Sequence, residues 1–335
     1  MLVCYTSSMK NITVKNFTPY VLLSGIFINA FGALEFGYSA DSQLPVFLFS
    51  HGLADTHKQA YTYKKSEKPD KYYLIDGRLF TFDYPDATEK FWRVNITQTS
   101  LAQRDEINTL QKAFHDTFKL LKKEGYESPS CVLVGLSRGA STIINFMGLY
   151  NPPEVRALVL ESPFDSIQTI ITHKIKHAHL QWVPGINAIS NALVSALFFN
   201  YKRNGIQPKD TAPALDKDLP IFISCSLQDS LIPAVSTIKL YNILRASGHE
   251  HVYLFIAKSG EHSKILSSSE GKNYQNAVHA FYRKYKLPHD ESFALQGEQI
   301  LATCQPSSEE LNHYFEPHSP GKPFRAGAPH PATSL

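Results

Sequence analysis

Six short apolar runs, most of them followed by a segment with helical periodicity, constrain the fold of this chain more than any other feature. The runs lie at residues 46–49, 79–82, 131–134, 157–160, 221–225 and 252–256. Continuous apolar runs of this length are typical of strands that are buried on both faces. Strands that alternate with helices indicate βαβ units, and they predict an α/β fold with a mostly parallel sheet flanked by helices.

The alternation is interrupted at residues 165–218, where two helical patterns, 167–177 and 186–199, occur without a strand between them. Ligands of parallel sheets bind beyond the carboxyl ends of the strands, so we expect this insertion to form a helical cap over that edge. The cap carries six apolar or aromatic side chains: Trp182, Val183, Leu193, Phe198, Phe199 and Tyr201. They suit a partly apolar cover for a substrate and, equally, a seal over the core.

The two ends of the chain differ from this central part. Residues 21–34 are apolar but shorter than the ~20 residues of a confident membrane span, and Lys10 and Lys15 precede them. This pattern predicts a signal peptide or membrane anchor within residues 1–41, with a structured helix or strand as the alternative. We therefore expect an exported or membrane-associated protein, with a cytoplasmic one as the alternative.

Residues 288–335 hold seven of the 20 prolines and show no periodicity, which predicts a disordered tail.

Charge and cysteine content argue against several partners. The formal net charge is +3 and no run of five basic residues occurs, so we expect no nucleic-acid partner. The four cysteines, at positions 4, 131, 225 and 304, are too scattered for a disulfide framework or a paired zinc site. His173, His177 and His179 have a metal-like spacing, but lysines lie between them and no carboxylate is near, which favours a solvated helix. We expect neither a metal nor an organic cofactor.

One segment combines a local motif with a specific structural context. Gly135-Leu136-Ser137-Arg138-Gly139 directly follows a predicted strand and directly precedes a predicted helix. In such a sharp strand-to-helix turn, side chains in place of the glycines would collide with neighbouring backbone. The turn holds the serine hydroxyl above the sheet, beside the free N–H groups of a helix amino terminus. Here the chain resembles the α/β-hydrolase superfamily, and the resemblance implies that Ser137 is a nucleophile.

A serine hydroxyl is a weak nucleophile near neutral pH, so it needs a base and a carboxylate that orients the base. His262 directly follows the sixth apolar run, at the strand end where a base is needed, and is our candidate. Three other histidines are less suitable. His249 and His251 precede the same run, and His279 lies well inside a predicted helix.

The candidate acid is Asp229, which follows the fifth apolar run and precedes a predicted helix. The resemblance implies this assignment, because the superfamily places its acid in this loop. Asp165, after the fourth run, is the alternative, because some members of the superfamily use that position.

The resemblance also implies an oxyanion hole, in which two backbone N–H groups stabilise the oxygen that gains negative charge. Arg138, directly after the nucleophile, is the first expected donor. The turn His51-Gly52-Leu53 after the first apolar run matches the superfamily's His-Gly turn and makes Leu53 the second. We expect the Arg138 side chain to meet solvent or a structural carboxylate, because arginines that begin helices usually do so.

The resemblance defines an α/β-hydrolase domain at residues 42–287. Its Glu161-Ser162-Pro163-Phe164 segment is similar to one in the esterase, lipase and serine-aminopeptidase-like branch. The two strands that usually lead this fold are missing or lie within residues 30–44.

The resemblance implies a serine hydrolase that cleaves a small-molecule carboxylic ester or thioester with an apolar part, through an acyl-enzyme. A serine peptidase of the same fold and a non-catalytic module that binds a ligand or protein are the alternatives.

Overall fold

The computed structural model describes the backbone of residues 2–4 and residues 44–66, 71–88 and 98–315. Seven strands form one sheet: β1 (Leu2–Cys4), β2 (Val46–Ser50), β3 (Leu79–Phe82), β4 (Cys131–Leu136), β5 (Val155–Glu161), β6 (Ile221–Ser226) and β7 (Val252–Ala257). Their order across the sheet is β1-β3-β2-β4-β5-β6-β7. Of these seven, β1 is antiparallel to its neighbour and the other pairings are parallel. The predicted α/β class and mostly parallel sheet are confirmed.

Edge strand β1 comes from the segment at residues 1–41, for which the sequence predicts a signal peptide or membrane anchor and, as the alternative, a structured helix or strand. It pairs with β3, with Leu2 opposite Phe82. Of residues 30–44, where leading strands were expected, residue 44 alone is among the described ones. Residues 5–41 of the predicted signal or anchor segment lie outside the described residues, so export stays a prediction. No helix within the described ranges is long and apolar enough to cross a bilayer.

The described residues form ten α-helices: α1 (Ala60–Tyr63), α2 (Arg104–Lys123), α3 (Arg138–Tyr150), α4 (Ile167–His177), α5 (Ile186–Leu197), α6 (Pro208–Thr211), α7 (Ala234–Ala246), α8 (Gly271–Lys284), α9 (Glu291–Ala302) and α10 (Ser308–Asn312). One face of the sheet packs against α1, α8 and α9 through residues such as Phe49, Tyr274 and Leu301. Alternate strand residues, such as Leu48 and Leu133, are fully buried on the other face. Because both faces are covered, the strands are predominantly apolar.

The cap, which comprises residues 165–218, lies between β5 and β6 and contains α4, α5 and α6. Ser166 begins α4 by accepting a hydrogen bond from the N–H of Thr169 at 3.2 Å. The six apolar or aromatic side chains that the sequence places in the cap differ in exposure to solvent. Tyr201 is buried, Val183 and Phe198 are half-buried, and Trp182, Leu193 and Phe199 are exposed. The cap therefore seals the core beneath it and also presents apolar surface outward.

The prediction of disorder at residues 288–335 is wrong where α9 forms. Asp290 caps this helix by accepting a hydrogen bond from the Ser292 N–H at 3.0 Å. Gly297 lets α9 approach α8 closely, since a Cβ there would lie 1.9 Å from the carbonyl oxygen of Asn276. Six of the seven prolines lie beyond α9, so the composition of the whole segment conceals the helix.

Residues 306–335 form a second unit of the chain. Within it, α10 begins with a capping box, in which Ser307 and Glu310 each accept a hydrogen bond from the other's backbone N–H. Residues 316–335 lie outside the described residues, and their disorder stays a prediction.

Candidate active site

Three strand ends at the carboxyl edge of the sheet bring Ser137, Asp229 and His262 together. They follow β4, β6 and β7 respectively. The Oγ of Ser137 lies 2.9 Å from Nε2 of His262, and Nδ1 of the same ring lies 2.7 Å from Oδ2 of Asp229. The three side chains therefore form one continuous chain of hydrogen bonds.

The turn at Ser137 is sharply bent and closely packed. Ser137 has φ 53° and ψ −118°, a conformation that non-glycine residues seldom adopt. A Cβ at Gly139 would lie 2.2 Å from the carbonyl oxygen of Ser50, and one at Gly135 would lie 2.7 Å from Cα of Ala140. The contacts explain why glycine occupies both flanking positions.

Asp229 is held by its own loop. Its side chain is fully buried, and Oδ1 accepts hydrogen bonds from the N–H groups of Leu231 and Ile232, each at 2.8 Å. An ionised carboxylate only accepts hydrogen bonds, so Oδ2 accepts the Nδ1 proton of His262. Nε2 of that ring is then free to accept the proton of the Ser137 hydroxyl.

The turn after β2 approaches the same serine. A Cβ at Gly52 would lie 3.7 Å from Cβ of Ser137. The Gly52 carbonyl accepts two hydrogen bonds, from Nδ1 of His51 at 2.8 Å and from Nη2 of Arg138 at 3.1 Å. In a trans peptide the N–H points opposite to the carbonyl, so these two bonds also fix the direction of the Leu53 N–H.

His51 is a neutral donor in this arrangement. Its Nε2 accepts a hydrogen bond from the N–H of Tyr84 at 3.2 Å, which places the ring proton on Nδ1. Burial, aided by the nearby charge of Arg138, lowers the pKa of His51 to about 3. The ring therefore keeps this tautomer at neutral pH.

No protein-family model matches the chain, and no curated protein matches its sequence. Among solved structures, the chain is similar to the uncomplexed acylaminoacyl peptidase of Pyrococcus horikoshii, with a TM-score of 0.52 and 16% identity. That match covers 78% of this chain and 40% of the peptidase. An orthorhombic crystal form of the same peptidase gives a TM-score of 0.51 at 14% identity, over 73% and 37% of the two chains. The chain has the α/β-hydrolase fold.

A Pyrococcus furiosus esterase gives a TM-score of 0.49 at 15% identity, over 72% of this chain and 82% of the esterase. This α/β-hydrolase chain spans about two fifths of the length of the peptidase. At these identities the likeness establishes the fold alone.

The Arg138 side chain is buried in the α/β-hydrolase domain and meets a structural carboxylate. Nη1 lies 2.5 Å from Oδ2 of Asp86 and 3.6 Å from Oε1 of Glu106. The guanidinium also lies over the ring of Tyr84, at 4.5 Å from its centroid. The sequence gives no signal for this cluster, because Asp86 and Glu106 lie in segments without a recognisable motif.

The other histidines and the alternative acid have different partners. Asp165 accepts hydrogen bonds from the hydroxyls of Ser236 at 2.5 Å and Thr169 at 2.8 Å. The His249 ring bonds to two backbone carbonyls, and His279 bonds to the backbone on both sides of its ring. Burial lowers the pKa of His279 to about 4. The described hydrogen bonds connect none of these residues to Ser137.

A cavity of about 550 Å³ opens beside His262. Thr56, Gln59, Thr62 and Lys264 are among its lining residues, although apolar atoms supply most of its exposed surface. On the cap side lies an apolar group of side chains, here called the cap cluster. It consists of Leu101, Ala102, Phe164, Ile167, Ile171, Ile175, Tyr201 and Ile232. Five partly buried side chains pack against it: Leu53, Ile170, Ile186, Val194 and Phe198. The triad residues thus lie close to a cavity of mixed lining and to one apolar surface.

Glu161, at the end of β5, is a buried carboxyl group beside the candidate nucleophile. Its backbone carbonyl accepts the Ser137 N–H at 2.8 Å. Its side chain accepts the Tyr63 hydroxyl at 3.2 Å, while Oε1 is buried without a hydrogen-bond partner. Burial raises the pKa of Glu161 to about 7.

The histidines with metal-like spacing do not form a metal site within the described residues. The rings of His173 and His177 have centroids 6.3 Å apart on α4. No group of three or more histidine, cysteine or acidic side chains suited to a metal occurs in the described ranges.

Proposed function

We propose that this protein is a serine hydrolase that cleaves a carboxylic ester or thioester through an acyl-enzyme. The observation that carries the proposal is the hydrogen-bonded chain from Ser137 through His262 to Asp229, at the carboxyl edge of an α/β-hydrolase sheet. Side chains remote in sequence form this chain at a strained turn, and catalytic groups are typically held in this way.

In the proposed reaction Ser137 attacks the substrate carbonyl carbon while Nε2 of His262 takes the hydroxyl proton. The tetrahedral intermediate then collapses, and His262 gives the proton to the leaving alcohol or thiol. Water, deprotonated by the same ring, hydrolyses the acyl-enzyme and restores the serine. Asp229 holds the imidazole in the required tautomer and stabilises its positive charge. These steps need neither a metal nor an organic cofactor.

The proposed oxyanion hole consists of the Leu53 and Arg138 backbone N–H groups. The Arg138 N–H is the first of α3 and has no acceptor inside its helix. The Leu53 N–H belongs to the peptide whose carbonyl is bonded to His51 and Arg138. A donor fixed before the reaction stabilises the developing charge without reorganisation.

The surfaces beside the triad support a substrate with an apolar part that packs against the cap cluster. The cap cluster includes Leu53 and Ile232, which flank the oxyanion turn and the Asp229 loop. The cavity beside His262, whose lining is mixed, offers room for the rest of the substrate. An acyl chain or apolar alcohol against the cap cluster is the arrangement that we favour.

Peptide cleavage is the second candidate, favoured by the likeness to a structure named as an acylaminoacyl peptidase. The same triad would serve, with an amine as leaving group. Kinetics with p-nitrophenyl esters of two to twelve carbons and with acylaminoacyl p-nitroanilides distinguishes the two. Higher kcat/KM for the anilides would support the peptidase.

A fluorophosphonate probe tests the proposal directly, because it labels only an activated serine. The folded wild-type protein should be labelled, and Ser137→Ala should not. Ser259→Ala, which removes an exposed hydroxyl bonded to Ser269, is the matched control and should be labelled normally. A folded wild-type protein that stays unlabelled would favour the non-catalytic binding module.

A further inference from the structure

The outward face of the cap exposes an apolar stripe. Ile189, Leu193 and Leu197 lie four residues apart along α5, on one side of the helix, with relative exposures of 59%, 57% and 43%. Trp182 precedes α5 and Phe199 follows it, with exposures of 76% and 61%. Such large apolar side chains grouped in one segment mark an interaction surface.

The same segment is basic. Residues 166–209 contain no aspartate or glutamate, although an even spread of the chain's 30 acidic residues would place about four there. Five basic residues lie in it, and all are exposed: Lys174, Lys176, Lys202, Arg203 and Lys209. Lys176 lies in the last turn of α4, and Lys202 and Arg203 follow α5. The Lys174 ammonium instead donates a hydrogen bond to the Ser230 carbonyl. Positive charge therefore flanks the apolar stripe at both ends of the α4–α5 pair.

We propose that this face of the cap binds the surface of a membrane that contains anionic lipids. A helix with an exposed apolar face, flanking cations and an exposed tryptophan has the features of an element that lies in the bilayer interface. Each lysine or arginine near an anionic leaflet strengthens the attraction, and no acidic side chain in residues 166–209 opposes it.

A second copy of this chain is a less suitable occupant. Pairing two caps through the stripe would bring Lys176 and Lys202 of both copies to one interface, with no acidic residue of the segment to compensate them. Like charges brought together across an interface oppose association. An anionic lipid surface supplies the missing opposite charge.

The position of this face would allow a substrate to pass directly from the lipid phase. The opposite side of α4 and α5 contributes Ile171, Ile175 and Val194 to the cap cluster, which also contains Leu53 beside the proposed oxyanion hole. The membrane proposal itself does not depend on the reaction, and Ser137→Ala should bind vesicles as the wild type does. It concerns the cap, and is separate from the predicted N-terminal anchor.

Trp182 reports directly on the cap, because the chain has two tryptophans and Trp92→Phe leaves Trp182 alone. We would mix this full-length variant with vesicles of phosphatidylcholine and phosphatidylglycerol at a ratio of 3:1, with bromine on the acyl chains. The emission should shift to shorter wavelength and be quenched, much less so with phosphatidylcholine alone. Binding without quenching of Trp182 would assign attachment to another segment and overturn the proposal.

Charge and stripe variants of the otherwise wild-type chain give an independent measurement by vesicle cosedimentation. Lys176→Glu with Lys202→Glu should weaken partitioning to anionic vesicles at least about ten-fold. Lys119→Glu with Lys123→Glu, exposed on α2, should leave it within about two-fold. Trp182→Ser with Leu193→Ser should weaken it similarly, and Leu149→Ser with Leu295→Ser, exposed outside the cap, should not.

Two further outcomes would overturn the proposal. One is equal loss of partitioning in the cap variants and their controls. The other is a wild-type dimer in solution, seen by light scattering, that Trp182→Ser converts to a monomer, since the stripe would then be an interface between copies.

Discussion

The guanidinium of Arg138 donates a hydrogen bond to the carbonyl oxygen of Gly52 at 3.1 Å. This bond links the turn that contains the candidate nucleophile to the turn after β2. The backbone N–H of the same arginine is one of the two proposed oxyanion donors, and the Gly52 carbonyl belongs to the peptide that carries the other. One residue therefore contributes to both sides of the proposed oxyanion hole, through its main chain on one side and its side chain on the other.

Arg138→Lys should lower kcat for a p-nitrophenyl ester by about ten-fold to 100-fold, with little change in KM. The backbone N–H is retained and the ammonium can still pair with Asp86, but lysine lacks the planar fork that also reaches Gly52. The Leu53 N–H would then be less firmly oriented. Steady-state kinetics checks the change, and thermal unfolding shows whether the variant is folded. Unchanged kcat in a folded variant would contradict this positioning role.

Asp229→Asn should lower kcat by roughly 10³-fold to 10⁴-fold, because an amide cannot hold His262 in the required tautomer. Asp165→Asn is the matched control: it is equally buried, but bonded to Ser236 and Thr169. Its kcat should stay within a few-fold of wild type, although it should unfold at a lower temperature. The reverse pattern, with Asp165→Asn inactive and Asp229→Asn active, would move the catalytic acid to residue 165.

The elements that the sequence predicts correctly are those determined by local patterns. Runs such as residues 131–134 and 252–256 are apolar because the sheet is covered on both faces, and they mark β4 and β7. Ser137 is recognisable because the turn itself requires glycine at positions 135 and 139. Parallel strands place the loops that follow them at one edge, so the proximity of Asp229 and His262 to Ser137 could be predicted from their positions after strands.

What the sequence does not predict depends on contacts between distant segments. Arg138 meets Asp86 and Glu106 only because α3 packs beside α2, which carries Glu106, and beside the loop that carries Asp86. Helix α5 is apolar on more than one side, so periodicity alone could not say that Leu193 is exposed while Val194 packs inward. Strand β1 has three residues, which is too short for a recognisable pattern.

Gly139→Ala should destabilise the protein severely or prevent folding, because the new Cβ would lie 2.2 Å from a backbone carbonyl oxygen of Ser50. Gly125→Ala is the comparison: φ is +93° there, but no atom lies within 4 Å of the added Cβ. That change should cost about 1 kcal/mol through backbone strain alone. Soluble yield and urea unfolding measure both variants. A Gly139→Ala protein as stable as Gly125→Ala would contradict the close approach of α3 to β2.

Glu161 should make the protein less stable as pH rises toward neutrality, the reverse of the usual carboxyl behaviour. Burial raises its pKa to about 7 in the folded state, whereas its ordinary value is 4.5. Between these values the folded protein binds more protons than the unfolded chain, so the free energy of unfolding falls as pH increases. The stabilisation is fully present below the unfolded pKa and is lost as pH rises through the folded one.

Glu161→Gln removes this titration and keeps an oxygen that can accept the Tyr63 hydroxyl. The free energy of unfolding in urea should therefore fall by about 2 kcal/mol more for the wild type than for the variant between pH 5.5 and pH 8. Other titrating groups, such as His51 and His279, are common to both proteins and cancel in the difference. Glu127→Gln, an exposed carboxyl on the loop after α2, should show no such difference. A wild type and Glu161→Gln with parallel stability profiles would mean that the carboxyl is ionised in the folded protein throughout this range.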